Sequence, residues 1–170
     1  MQILKSYRET RAAKYPEPVH IVLVKAPDGK INPMSAAWVM FTSIEPTMLA
    51  VSVGFERHTY ELLKQQGEFV ISIPSELMAV EVEFFGSNSG RDIDKLKQLG
   101  SRTQPASIID GVLLSASSAN YECRVTGSLK TGDHMIFAGE VVASHIHEKK
   151  LKRLYLVGPG EFCGINSQSE

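Results

Sequence analysis

Apolar residues fall along this chain in short compact runs near both ends and at helical spacing in the middle. A run rich in β-branched residues over 19–24 predicts a buried strand. Pro27-Asp28-Gly29 follows with the chemistry of a hairpin turn. Two more strands are predicted over 35–44 and 48–53, broken at Glu45-Pro46-Thr47, because Pro46 has no N–H to give to a ladder. The spacing over 59–66 predicts a helix capped by Thr59, with Glu61 in its first turn and Gly67 ending it. A strand over 69–73 is stopped by Pro74, and Ser75 opens a second helix that runs to about residue 84 and closes at Phe84-Phe85-Gly86. A polar loop over 87–92 leads to a short helix over 94–99 that ends at Gly100. Long strands over 121–129 and 135–146 are joined at Lys130-Thr131-Gly132-Asp133, which predicts a hairpin. Residues 1–17 read as a charged entry arm with room for one short helix.

Strands therefore cluster at both ends, with helices inserted between them. Strict strand–helix alternation is absent, which disfavours a doubly wound parallel sheet. A mainly antiparallel barrel with peripheral helices fits better, and closing the sheet removes exposed edges. No repeat, low-complexity stretch or linker divides the chain, so one domain over 1–170 is expected, with 1–17 as its arm.

Composition narrows the function. A chain of 170 residues, 43% hydrophobic, has enough core to fold without disulfides, and too few residues for separate cofactor and substrate domains. Its 18 Lys and Arg nearly cancel 19 Asp and Glu, for a net charge of -1, which argues against a nucleic-acid partner. No apolar run reaches the ~20 residues of a membrane span, and the charged N-terminus lacks a signal-peptide core, so a cytoplasmic protein with no membrane partner is expected. Cys123 and Cys163 lie far apart and form no CxxC, the pattern of two reduced thiols.

Neither the GxGxxG nor the GxxxxGK[ST] phosphate loop is present, and there is no GxSxG elbow, so no catalytic residue is nominated. His145 and His147 share a strand face, yet no third ligand stands at a telling spacing. A solvated strand end is expected there, and no metal site. Arg57-His58-Thr59 stands directly before a helix, where a forked cation, a hydroxyl and unpaired N–H groups suit a phosphate; a plain cap with exposed charges is the alternative. Ser87, Ser89, Gly90, Arg91 and Lys95 suit an anion or a mobile surface loop. Trp38, the only Trp, either fills the core or stands beside a flat ligand, which the small residues Ser35, Ala36 and Ala37 would admit to the backbone.

These stretches in this order resemble the flavin reductase-like FMN-binding split-barrel family, its flavoredoxin-like subgroup in particular. The resemblance is carried by residues 32–38, 50–53 and 57–59, then Gly67-Glu68-Phe69-Val70 with Ile73-Pro74-Ser75, then 89–95 and 132–141. It implies an antiparallel Greek-key split β-barrel, homodimeric, holding FMN noncovalently near the subunit interface. The site implied comprises Asn32, Met34, Ser35, Ala36, Ala37 and Trp38 along the flavin. Ser52 and Val53 would lie by the ribityl-phosphate, and Arg57, His58 and Thr59 at the phosphate. Ser89, Gly90, Arg91 and Lys95 would close over the cofactor, and His134 would face the ring or the dimer contact. Ser35 stands where the family often has Thr and keeps the hydroxyl.

The resemblance implies an FMN-dependent oxidoreductase that takes hydride from NAD(P)H and passes electrons to an acceptor. A flavoredoxin-type carrier exchanging electrons with a redox protein partner is the alternative, and a flavin-free small-ligand barrel is the third reading.

Overall fold

The computed structural model describes residues 1–166; the last four residues of the 1–170 span lie outside them. The arm carries α1 (Tyr7–Thr10), opened by a capping box between Ser6 and Glu9, then a 3-10 turn over Arg11–Lys14. The strands are β1 (Glu17–Pro18), β2 (His20–Lys25), β3 (Ile31–Ala36), β4 (Val39–Ser43), β5 (Met48–Gly54) and β6 (Glu68–Ile73), with α2 (His58–Gln66) between the last two. Next come α3 (Ala79–Ser87) and α4 (Lys95–Leu99), and then β7 (Thr103–Pro105) and β8 (Val112–Leu114). The chain ends with β9 (Ala119–Thr131), β10 (His134–Ile146), β11 (Arg153–Gly158) and β12 (Glu161–Ile165).

Seven strands form one antiparallel sheet in the order β3-β2-β6-β9-β10-β5-β4. Its two edge strands, β3 and β4, are consecutive in the chain, with only Ala37 and Trp38 between them. A sheet whose first and last strands are joined by so short a link must curl until its edges meet, which makes a barrel with one unbonded seam. β3 and β5 touch across that seam.

The single strand predicted over 35–44 is thus two strands. Ala36 still pairs with His20 of β2, whereas Val39 pairs with Val51 of β5. Between them the chain changes sheet edge, the Val39 N–H bonding the Ala37 carbonyl and the Ser52 N–H bonding the Trp38 carbonyl, each at 3.0 Å. Apolar periodicity carries no record of which strand is the partner, so the break is invisible in it.

Both faces of the central strands are buried. Val22 and Val24 of β2, with Leu49, Phe69 and Phe137, fill the barrel interior, and Leu62 and Leu63 of α2 close one end of it. Ile21 and Leu23, on the opposite face of β2, pack with Val82 and Phe85 of α3 and Leu113 and Leu114. At ~25 cal/mol per Å² of apolar area, this double burial is the main stabilising term. The two predicted hairpins form, with Gly29 at φ +84° and Gly132 at φ +51°.

Three local expectations need correction. Thr59 does not cap α2, which begins at His58 after Arg57 and has no side-chain cap; the Thr59 hydroxyl accepts a bond from Asn32 instead. Ser75 caps nothing: a 3-10 turn over Glu76–Met78 follows it, and α3 continues past Phe84 and Gly86 to Ser87. His145 is not merely solvated. Its Nε2 bonds the fully buried Glu122 carboxylate at 2.6 Å, and that carboxylate also accepts N–H bonds from Ser107, Ile108 and Ile109. The short strands β7, β8, β11 and β12 carry no clear signal in the apolar pattern. β11 pairs with β1, Glu17 opposite Leu156 and Pro18 opposite Tyr155, and so ties the arm to the C-terminal part of the chain.

Candidate functional site

The seam between β3 and β5 is flanked by two adjacent cavities. The narrower, about 200 Å³, lies where the start of α2 meets the loop after α3. The broader, about 230 Å³, lies over the β3–β4 link and the end of β5. Met34 and Arg57 line both. Every residue nominated from the sequence lines one or the other.

The narrow cavity is polar. Asn32, Arg57, His58, Thr59, Ser89, Gly90, Arg91 and Lys95 line it. Asn32 is buried; its Nδ2 donates to Thr59 Oγ1 at 2.8 Å, and its Oδ1 has no partner. Gly90 presses against that oxygen: a Cβ there would lie 2.0 Å from Asn32 Oδ1, so only glycine lets the loop approach this closely. The Ser89 hydroxyl accepts the Arg91 N–H at 3.2 Å. Arg91 reaches back to the Glu56 carbonyl at 3.0 Å and to the Glu61 carboxylate at 3.3 Å, clasping the loop onto the α2 side. Arg57 is exposed and pairs with Glu56 at 3.2 Å. Burial, and then the charge of Arg91, hold His58 below its usual range.

Lys95 differs from the exposed cation that a surface loop suggests. It is buried, and its Nζ donates to the carbonyls of Phe85 at 3.0 Å and Asn88 at 3.1 Å. Burial, and then the charge of Arg57, push it down to about 8. It staples the end of α3 and the following loop to the start of α4, and contributes positive potential from beneath the cavity floor.

The broad cavity is lined mostly by small residues, Ser35, Ala36, Ala37, Ser52 and Val53, together with Trp38 and His134. The Ser35 hydroxyl is engaged, donating to the Val82 carbonyl of α3 at 2.6 Å. Trp38 is not core; it is 52% exposed, with its ring centroid 4.9 Å from that of His134. His134 Nδ1 bonds Asp133 at 2.6 Å, which fixes the ring and holds the Asp133 carboxyl below its usual range. Lys14 of the arm also lines this cavity. Nothing in the arm's pattern singles Lys14 out, because its place depends on the docking of β1 on β11. A third cavity of about 440 Å³ lies beyond the Asn32–His58–Gly90 wall, lined partly by charges already paired, Asp28 with Lys30 and Arg91 with Glu61.

Small side chains beside exposed backbone, next to a polar cradle with two guanidinium groups, can hold a flat ring at one end and an anionic group at the other. Among the described residues no cluster of three metal-ligating side chains occurs, and no helix is long and apolar enough to cross a membrane.

Residues 12–166 match the model of the flavin reductase like domain. A protein from Pyrococcus abyssi is 35% identical over 129 residues, 76% of this chain and 73% of its own length. Among solved structures, flavoredoxin from Methanosarcina acetivorans superposes with a TM-score of 0.85 at 23% identity, covering all of this chain and 94% of its own. An FMN-binding protein from Thermus thermophilus superposes at 0.82 with 24% identity, covering all of this chain and 96% of its own. At these identities the two structures speak for the fold alone, an antiparallel split barrel.

Proposed function

This chain belongs to the flavin reductase-like family, and we propose that it holds FMN noncovalently in the two adjacent cavities and passes hydride from NADH or NADPH through it to an acceptor. The observation that carries this reading is that a polar cradle and a cavity lined by small residues lie side by side and share Met34 and Arg57 in their linings. The orphaned Asn32 Oδ1 beside Gly90 supports it, since a buried acceptor without a partner suits a ligand hydroxyl.

When bound, the flavin ring supplies the redox chemistry; the protein supplies binding, orientation and electrostatics. Arg57 and the N–H groups at the start of α2 would hold the phosphate, and Arg91 holds the loop that would close over it. Ala36 and Ala37 present backbone with no bulky side chain in the way, so their peptide groups can approach the ring. Trp38 and His134 stand at one end of the broad cavity. No acid–base residue is required for hydride transfer, in keeping with the absence of a nominated catalytic side chain.

The broad cavity is open on one side, and its rim continues into the exposed Trp38 and Met40 of the edge region. Exposed apolar edges of this kind are ordinarily covered by a partner. We infer a homodimer whose second copy covers that rim, to be checked by light scattering of the purified protein. The same open rim suits a redox protein, which keeps the carrier reading as the second outcome. Anaerobic mixing of the FMN-loaded protein with NADH and with NADPH separates the two. Bleaching within seconds supports the reductase. No bleaching with either, together with reduction by a reduced redox protein, supports the carrier.

A further inference from the structure

Unpaired polar atoms mark a second place in the molecule. Among the described residues seven buried side-chain nitrogen and oxygen atoms lack a partner. Two, Asn32 Oδ1 and His58 Nδ1, belong to the site above. Three others, Arg153 Nε, Ser118 Oγ and His20 Nδ1, belong to side chains that line one separate cavity of about 290 Å³, which shares no residue with the two adjacent cavities.

The chemistry of these three is one-sided. Arg153 donates through Nη2 to His20 Nε2 at 3.0 Å, so His20 keeps a lone pair there and carries its proton on Nδ1. Burial, and then the charge of Arg153, push His20 down to about 4, so the imidazole is neutral at pH 7. Arg153 Nε–H and the Ser118 hydroxyl are left as unused donors. Among the described residues Arg153 forms no ion pair with a carboxylate; its guanidinium is held 5.2 Å from the centroid of the Tyr155 ring. A half-buried cation with spare donors and no counter-ion is costly unless an anion completes it. The rest of the wall is apolar, with Phe41, Tyr121 and Ile146 prominent, and Phe41 stands edge-on to Tyr121 at 5.6 Å.

We propose that this cavity binds a small organic carboxylate, its carboxylate on Arg153 and Ser118 and its aromatic or branched aliphatic body against Phe41, Tyr121 and Ile146. The volume stands at the low end of the ~300–1,000 Å³ typical of ligand pockets, which limits the body to about one ring. The apolar wall disfavours inorganic phosphate, which has nothing to bury there. The proposal does not rest on FMN binding, although Met40 of this wall also belongs to the rim assigned to the second copy.

Isothermal titration of the full chain with benzoate and with hexanoate tests it, with benzamide and inorganic phosphate as controls. Saturable one-to-one binding of at least one carboxylate is expected, weaker by on the order of tenfold or more for benzamide and in Arg153→Met, where a charge-assisted hydrogen bond is lost. Ile146→Asp, at a position 88% exposed and so tolerant of change, places a negative charge at the mouth and should weaken binding as well, even if Arg153→Met fails to fold. FMN affinity should be unchanged in both variants. Absence of saturable binding by either carboxylate overturns the proposal, as does equal binding of benzamide. A wild-type dimer that binds no carboxylate and dissociates in Arg153→Met assigns the cavity to the second copy, and also overturns it.

Discussion

Asn32 and Gly90 come from opposite sides of the narrow cavity, and a single missing Cβ lets them meet. Asn32 is held by Thr59, and the backbone of Gly90 occupies the space next to its free Oδ1. Gly90→Ala would put a methyl 2.0 Å from that oxygen, which forces either the loop or Asn32 to move. We expect a loss of about 1–3 kcal/mol in stability, the usual cost of overpacking, and weaker FMN binding. Urea denaturation and FMN titration of the same variant measure the two effects.

Lys95 separates a charge that positions from a charge that contacts. Its Nζ satisfies two carbonyls, of Phe85 and Asn88, from a buried position. Lys95→Met keeps the apolar stem and leaves both carbonyls short of a donor. The expected outcome is a stability loss of about 1–3 kcal/mol, read from the denaturation midpoint, together with faster proteolysis of the loop over 87–92. Lys95→Arg should not rescue it, because a planar fork does not fit a pocket shaped for a point donor.

His20 and Lys95 are both bases whose folded pKa is depressed, to about 4 and about 8 against ordinary values of 6.5 and 10.5. Between the folded and unfolded values the unfolded chain binds the extra proton, so stability rises with pH across each window. Acidification from pH 6.5 toward 4 should therefore destabilise the protein, as His20 is forced to charge beside Arg153. The loss should reach a few kcal/mol, at roughly 1.4 kcal/mol for each tenfold rise in proton concentration. His20→Gln keeps an acceptor for Arg153 and should flatten the change in denaturation midpoint over that window. Raising the pH from 8 toward 10 should relieve the cost of the buried Lys95 charge.

Glu122 anchors the segment before β8 to the central sheet. Burial alone would raise its pKa, and the N–H groups of Ser107, Ile109 and Ile108, with His145, outweigh burial and hold it below the usual range. Glu122→Gln replaces a full acceptor with a half-acceptor facing four donors. We expect a loss of about 1–3 kcal/mol, measured by thermal unfolding at pH 7, with FMN binding retained because Glu122 lies outside both adjacent cavities.

Much of the barrel was legible because its strands report themselves. Val22 and Val24 against Ile21 and Leu23 give a continuous apolar run, and that run is buried on both faces. The hairpin at Gly132 needed only its turn residues. The break at Ala37 and Trp38 was not legible, because it records a change of partner and not a change of polarity. Thr59 misled because a hydroxyl before an apolar run signals a cap unless a distant residue, here Asn32, claims it. Ser75 misled differently: it precedes a 3-10 turn, and its buried hydroxyl has no partner. The nominated residues gather along the seam because the resemblance covered the segments that meet there. Lys14 and the Arg153 cavity escaped because β11 and its pairing with the arm left no periodic trace.

Equilibrium titration of the protein with FMN, followed by flavin absorbance and gel filtration, decides whether the two adjacent cavities hold FMN through Arg57. A yellow protein that carries one FMN per chain through the column is expected. Arg57→Ala should fold normally yet bind FMN about 1.5–3 kcal/mol more weakly, the worth of a hydrogen bond to a charged group. A protein that leaves FMN behind on the column, or an Arg57→Ala variant with unchanged FMN affinity, would rule this binding mode out.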